Sequence, residues 1–164
     1  MALGQRQERK IYLSISHGKV VRGTGDSKQY YTSIDGHIEA IYTKHSNFGG
    51  EDVVRWFIDM RDGEELYSLC LPYSSGVFKS IILSLASKEE LTSSTSVMIR
   101  PYEGGNGYTK VVVFADGEKL DWITKQLPPQ ETITLGGRQV KDDSKQMELI
   151  TSLCSKIIER IKKK

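Results

Sequence analysis

The stretch from Glu51 to Ser87, EDVVRWFIDMRDGEELYSLCLPYSSGVFKSIILSLAS, constrains the fold of this chain more than any other. Across Val53 to Met60, the residues Val54, Trp56, Ile58 and Met60 fall on one face and Arg55, Phe57 and Asp59 on the other, the period of two of a strand. Asp62-Gly63 supplies a tight turn, because glycine takes the positive φ that hairpins need. Leu66 to Tyr73 returns as a second strand, with Leu69 and Leu71 on one face and Pro72 marking its end. Ser74-Ser75-Gly76 then opens a helix in which Phe78, Ile81, Ile82 and Leu85 recur three and four apart, an apolar stripe that must lie against a sheet. No catalytic motif sits in this platform.

The remaining segments extend it. Residues 1–8 read as a flexible polar lead-in. Lys10 to Ser16 alternates, and His17-Gly18 turns it into Lys19-Val20-Val21-Arg22, a first hairpin. Gly23 to Asp35 is loop-like around Tyr30-Tyr31, and it lacks the spacing of a phosphate-binding loop. Gly36 to Lys44 reads as a strand, with Ile38, Ala40 and Tyr42 opposed to His37, Glu39 and Ile41, and His45 to Glu51 reads as a flexible connection. Further strands are expected over Thr95 to Tyr102 and Tyr108 to Ala115, with a last short one over Leu120 to Ile123; Trp56 and Trp122 are expected in the core. Residues 128–143 look like a linker without apolar periodicity, and 144–164 form an amphipathic helix ending in cations that suit its dipole.

Counted from Gly36, the order is strand, strand, strand, helix, strand, strand, which is that of an OB-fold barrel. The expected architecture is mainly β with flanking helices: an OB-like domain over 9–127 with an extra N-terminal hairpin, then the linker and the C-terminal helix. An antiparallel α+β sheet packed on a helix produces the same order.

Function classes narrow by elimination. The 164 residues suffice for one domain with a real core, and 38% hydrophobic against 27% charged residues describes a globular chain. A net charge of +2 requires that any surface for a polyanion be local. The longest apolar run is too short to span a bilayer and the N-terminus has no export segment, so an intracellular, cytoplasmic protein without membrane attachment is expected. Cys70 and Cys154 match neither a disulfide framework nor a metal site. His17, His37 and His45 are scattered, no metal or nucleophile motif is present, and no enzyme activity or cofactor is expected.

Aromatic and basic residues on the strands carry the positive signal. Arg55 with Phe57, Arg100 with Tyr102, and Tyr108 with Lys110 fall on one face of their strands by alternation, with Lys44 beside them. Single-stranded nucleic acid needs that mixture, rings on which bases stack and cations that follow the phosphates. Tyr30, Tyr31 and Phe48, in loop sequence, are expected to close over the strand.

The phrase Ile15-Ser16-His17-Gly18-Lys19-Val20-Val21-Arg22, the Trp56 strand, the hairpin, the helix ending Ser84-Leu85-Ala86-Ser87 and the strand Ile99-Arg100-Pro101-Tyr102 resemble phage-type single-stranded DNA-binding proteins of replication and recombination. The resemblance spans residues 9 to 125 in layout. It implies an OB-type domain that binds single-stranded DNA without sequence preference. Many such proteins end in an acidic tail, whereas this sequence ends in Ile161-Lys162-Lys163-Lys164, which argues against tail-mediated recruitment. The rival expectation is a structural or protein-interaction module of a phage or mobile element, forming a homo-oligomer through its C-terminal helix.

Overall fold

The segment 51–72 folds as a long antiparallel hairpin, β5 (Glu51–Asp62) and β6 (Glu65–Pro72), joined at Gly63, whose φ of +62° fits the turn. The computed structural model describes residues 10–23, 25–105, 107–124 and 131–162, so the lead-in over 1–8 lies outside the described residues. Ahead of the hairpin come β1 (Lys10–Ser16), β2 (Lys19–Arg22), β3 (Gln29–Tyr31) and the 15-residue β4 (Ile34–Phe48). After it come α1 (Gly76–Ala86), β7 (Val97–Glu103), β8 (Thr109–Ala115) and β9 (Glu118–Lys119). The small hairpin β10 (Glu131–Leu135) and β11 (Arg138–Asp142) leads into α2 (Ser144–Lys162).

Nine strands form one mixed sheet in the order β3-β2-β1-β6-β5-β4-β7-β8-β9. Counted from β4, the expected order of three strands, a helix and two strands is present, but the sheet is open: among the described residues β3 and β9 are its edges. The N-terminal hairpin is not an appendage, because β1 pairs in parallel with β6, Leu13 opposite Leu69.

β4 gives the sheet its bend. It pairs with β5 from His37 onward and with β7 over Ile34 to Gly36, so it changes neighbour at Gly36. A Cβ there would sit 2.7 Å from the Arg61 carbonyl oxygen, a close approach that requires glycine. A bulge between Ile38 and Ala40 then shifts the alternation, so that Ile38 and Ile41 both point into the core while Ala40 and Tyr42 pair with Asp59 and Phe57. This corrects the expected grouping of Ile38 with Ala40 and Tyr42. Nor does β4 end at Lys44: it runs through HSNF to a turn at Gly49-Gly50.

Trp56, Ile58 and Met60 are buried as the alternation predicts, and Trp56 stacks on Phe78 of α1 with ring centroids 4.5 Å apart. Ser75 caps α1 by accepting from the Phe78 N–H at 3.2 Å. Residues Ile81 to Ala86 are all buried because α1 lies between the sheet and α2, and a helix covered on both sides is apolar all round. α2 packs on α1 and β4 through Met147, Ile150, Leu153, Ile157 and Ile161. Its N-terminus is held by buried Lys79, which donates to Asp143 at 3.1 Å and Gln146 at 2.9 Å, and Arg160 donates to the Ala86 and Lys88 carbonyls near the end of α1.

Two further expectations change. The linker-like segment contains the β10–β11 hairpin, whose turn is Gly136-Gly137 with φ of +58° and +80°. Trp122 is 42% exposed, because the chain leaves the sheet after Lys119 and Leu120 takes the buried position; the short strand is 118–119, not Leu120 to Ile123.

Candidate nucleic-acid interface

The residues singled out by the sequence separate into two groups, because β4 lies between β5 and β7 and meets them at opposite ends. The first group surrounds Phe57, on the face of β5 away from Trp56. Its register partner Tyr42 stacks on it, centroids 5.5 Å apart and planes within 12°, and Tyr12 of β1 meets it edge-on at 6.3 Å. Lys44 lies 5.7 Å from the Tyr42 ring centre and 5.3 Å from that of Phe57. Lys10 donates to the Tyr42 hydroxyl oxygen at 2.9 Å and to Asp59 at 3.0 Å, and the Tyr42 hydroxyl donates to Asp59 at 3.1 Å. These bonds to Tyr42 and then Asp59 hold the Lys10 ammonium above its ordinary pKa, against the opposing effect of burial. Asp59 is 5% exposed, although it stands on the outward face of β5.

Lys10, Tyr12 and Asp59 carry no local signal for this grouping. They meet because β1 pairs in parallel with β6, which sets Tyr12 opposite Ser68 and Ser68 opposite Asp59. Arg55 and its register partner Lys44 stand exposed at the rim, the Arg55 guanidinium 4.0 Å from the Cys70 sulfur.

The second group lies on β7 and β8. Arg100 and Tyr102 share the exposed face of β7, Tyr102 is the register partner of Lys110, and Tyr108 precedes β8 at 71% exposure. The β1–β2 turn docks on this end of the sheet: the Gly18 N–H donates to the Thr109 hydroxyl at 3.2 Å. A Cβ on Gly18 would come within 2.8 Å of the Glu103 nitrogen, and φ there is +73°, so only glycine permits the contact. Docking places His17 and Lys19 with Thr32, Arg100, Tyr102 and Glu103 around an open groove of about 320 Å3. Among the described residues, the side chains of Lys19, Arg100 and Lys110 have no hydrogen-bond or ion-pair partner. His17 and Lys19, missed as contacts, are marked in the sequence only by the His-Gly turn.

Tyr30 and Tyr31 lie on the edge strand β3, 60% and 43% exposed, rather than in a loop. The side chain of Phe48 lies outside the described residues. His37 contacts the Thr95 carbonyl and His45 contacts Asp52, each at 3.1 Å, and among the described residues no group of three His, Cys, Asp or Glu side chains is placed to hold a metal. No helix among them is long and apolar enough to cross a membrane. Fold and groove together define a mainly β protein with a curled open sheet, two helices and a basic, aromatic groove. Comparisons with protein families, curated proteins and solved structures find no match.

Proposed function

We propose that this chain is a non-catalytic, sequence-nonspecific single-stranded DNA-binding protein with an OB-like arrangement, serving replication or recombination. The observation that carries the reading is the docked β1–β2 turn. It gathers Lys19 and Arg100, cations without partners, beside the exposed ring of Tyr102. Cations without partners are free to neutralise phosphates, and an exposed ring offers a face to a base. The OB-like aspect is supported by the element order, by β4 being shared between β5 and β7, and by the packing of β2 against β7 across the gap in the sheet. Lys110, the register partner of Tyr102, and the exposed Tyr108 lie beside it at the start of β8. A homo-oligomer through the C-terminal helix is not part of this reading, since the apolar stripe of α2 is packed on its own chain.

The test is fluorescence anisotropy with a labelled single-stranded oligonucleotide. Binding is expected at low salt, weakening as salt rises with a log–log slope of about −0.7 for each phosphate neutralised. Absence of binding at micromolar protein in low salt would overturn the proposal.

A further inference from the structure

We infer that a second pocket, next to the groove, receives one base of the bound strand and prefers guanine, a preference at one position added to the sequence-nonspecific contacts of the groove; this rests on the single-strand reading above. The pocket opens at the end of the sheet where β2 and β3 face the start of β4, and its volume is about 210 Å3. That is below the roughly 300–1,000 Å3 of sites for drug-sized ligands, so its occupant is the size of a single ring system. Its apolar lining is Leu13, Val20 and Ile34, each at most 6% exposed, with the rings of Tyr31 and Tyr67 beside them. This suits a flat apolar body rather than an ion.

The polar lining chooses among such bodies. Arg22, Asp35 and Asp62 line the pocket, and among the described residues none of their side chains has a hydrogen-bond or ion-pair partner. Two carboxylates only accept and one guanidinium only donates, so the complementary edge has adjacent N–H donors beside an acceptor. Guanine offers N1–H and N2–H2 next to O6. Thymine presents two acceptors around one donor, and adenine and cytosine present one amino group beside acceptors. The two carboxylates also repel phosphate, which leaves the backbone in the neighbouring groove. The two sites adjoin through consecutive residues: Thr32 lines the groove, and its neighbours Tyr31 and Ser33 line the pocket.

The experiment compares a thymine homo-oligomer with the same oligomer carrying one central guanine, adenine or cytosine. The expected result is tightening by about tenfold for guanine alone, with the preference of guanine over thymine lost in Asp62→Asn. Asp62 is exposed at the end of β5, so the substitution removes no core contact. If all four oligomers bind equally, the pocket inference is overturned and the single-strand reading stands. If none binds, that reading fails, and guanosine alone is titrated against the full chain by amide NMR: shifts confined to residues 31–35 and 62 support the pocket, and their absence overturns it.

Discussion

The Phe57 cluster and the β7–β8 groove are made of the same residue types, yet they differ in what those residues are bonded to. Around Phe57 each ring and each lysine has a partner within the chain: Tyr42 is stacked on Phe57, Lys10 is bound to Asp59, and Lys44 sits over both rings. At the groove, Arg100, Lys19 and Lys110 have no such partners among the described residues, and Tyr102 is 46% exposed. A base or phosphate entering the first region has to break contacts already made, whereas in the second it displaces water. The composition of a face therefore does not say whether that face is available for binding; the neighbours supplied by the fold do.

The widest gap between the regions is expected in stability. Phe57→Ala removes a half-buried stacked ring and should lower unfolding free energy by about 2–3 kcal/mol, somewhat less than a fully buried phenylalanine costs, with oligonucleotide affinity nearly unchanged; urea unfolding and anisotropy read the two. Asp59→Asn should cost about 2 kcal/mol by the same measurement, because Lys10 loses a charged acceptor in a partly exposed pair. Tyr102→Ala should do the reverse, weakening binding about 5- to 150-fold, the equivalent of roughly 1–3 kcal/mol of stacking, while unfolding stays within about 0.5 kcal/mol of the parent. A folded Phe57→Ala that no longer binds, or a Tyr102→Ala that binds normally, breaks the comparison. Lys19→Ala and Arg100→Ala should each flatten the salt slope by about 0.7, and the matched change at Lys10 should leave it alone.

The smallest effect is expected at the Lys79–Asp143 ion pair, at the N-terminus of α2. Burial alone would raise the Asp143 carboxyl, but its hydrogen bonds from Lys79 and Ser74 outweigh burial and hold it below the ordinary value of 3.8. The folded carboxylate thus takes up its proton less readily than the unfolded one. Its stabilisation is complete above the unfolded pKa and fades as pH falls through the folded one. Stability should drop below about pH 4 by less than about 1 kcal/mol from this site, the group being partly exposed, and Asp143→Asn should lose that component.

Much of the fold is legible along the chain where the signal is local. The alternation around Trp56, the Asp62-Gly63 turn and the stripe from Phe78 to Leu85 each depend on neighbouring residues, and each forms the expected element. What escapes depends on distant partners or single-residue irregularities. The bulge after Ile38 moves Tyr42 onto Phe57, and no residue type announces it. The parallel pairing of β1 with β6 brings Lys10 to Asp59 across 49 positions of sequence. Gly136-Gly137 reads as part of a linker, because two glycines among polar residues without apolar periodicity describe one, and the turn shows only in the pairing of β10 with β11. Of the candidate site, Arg100, Tyr102 and Lys110 do share an exposed face, whereas Phe57 is drawn into a cluster by residues the alternation cannot see.

The most direct test of the central claim is an amide NMR titration of the full chain with a thymine homo-oligomer at low salt. Shifts are expected at residues 17–19 and 100–110, with 40–44 and 55–59 unmoved. Shifts centred on Tyr42 and Phe57, or none anywhere, would contradict it.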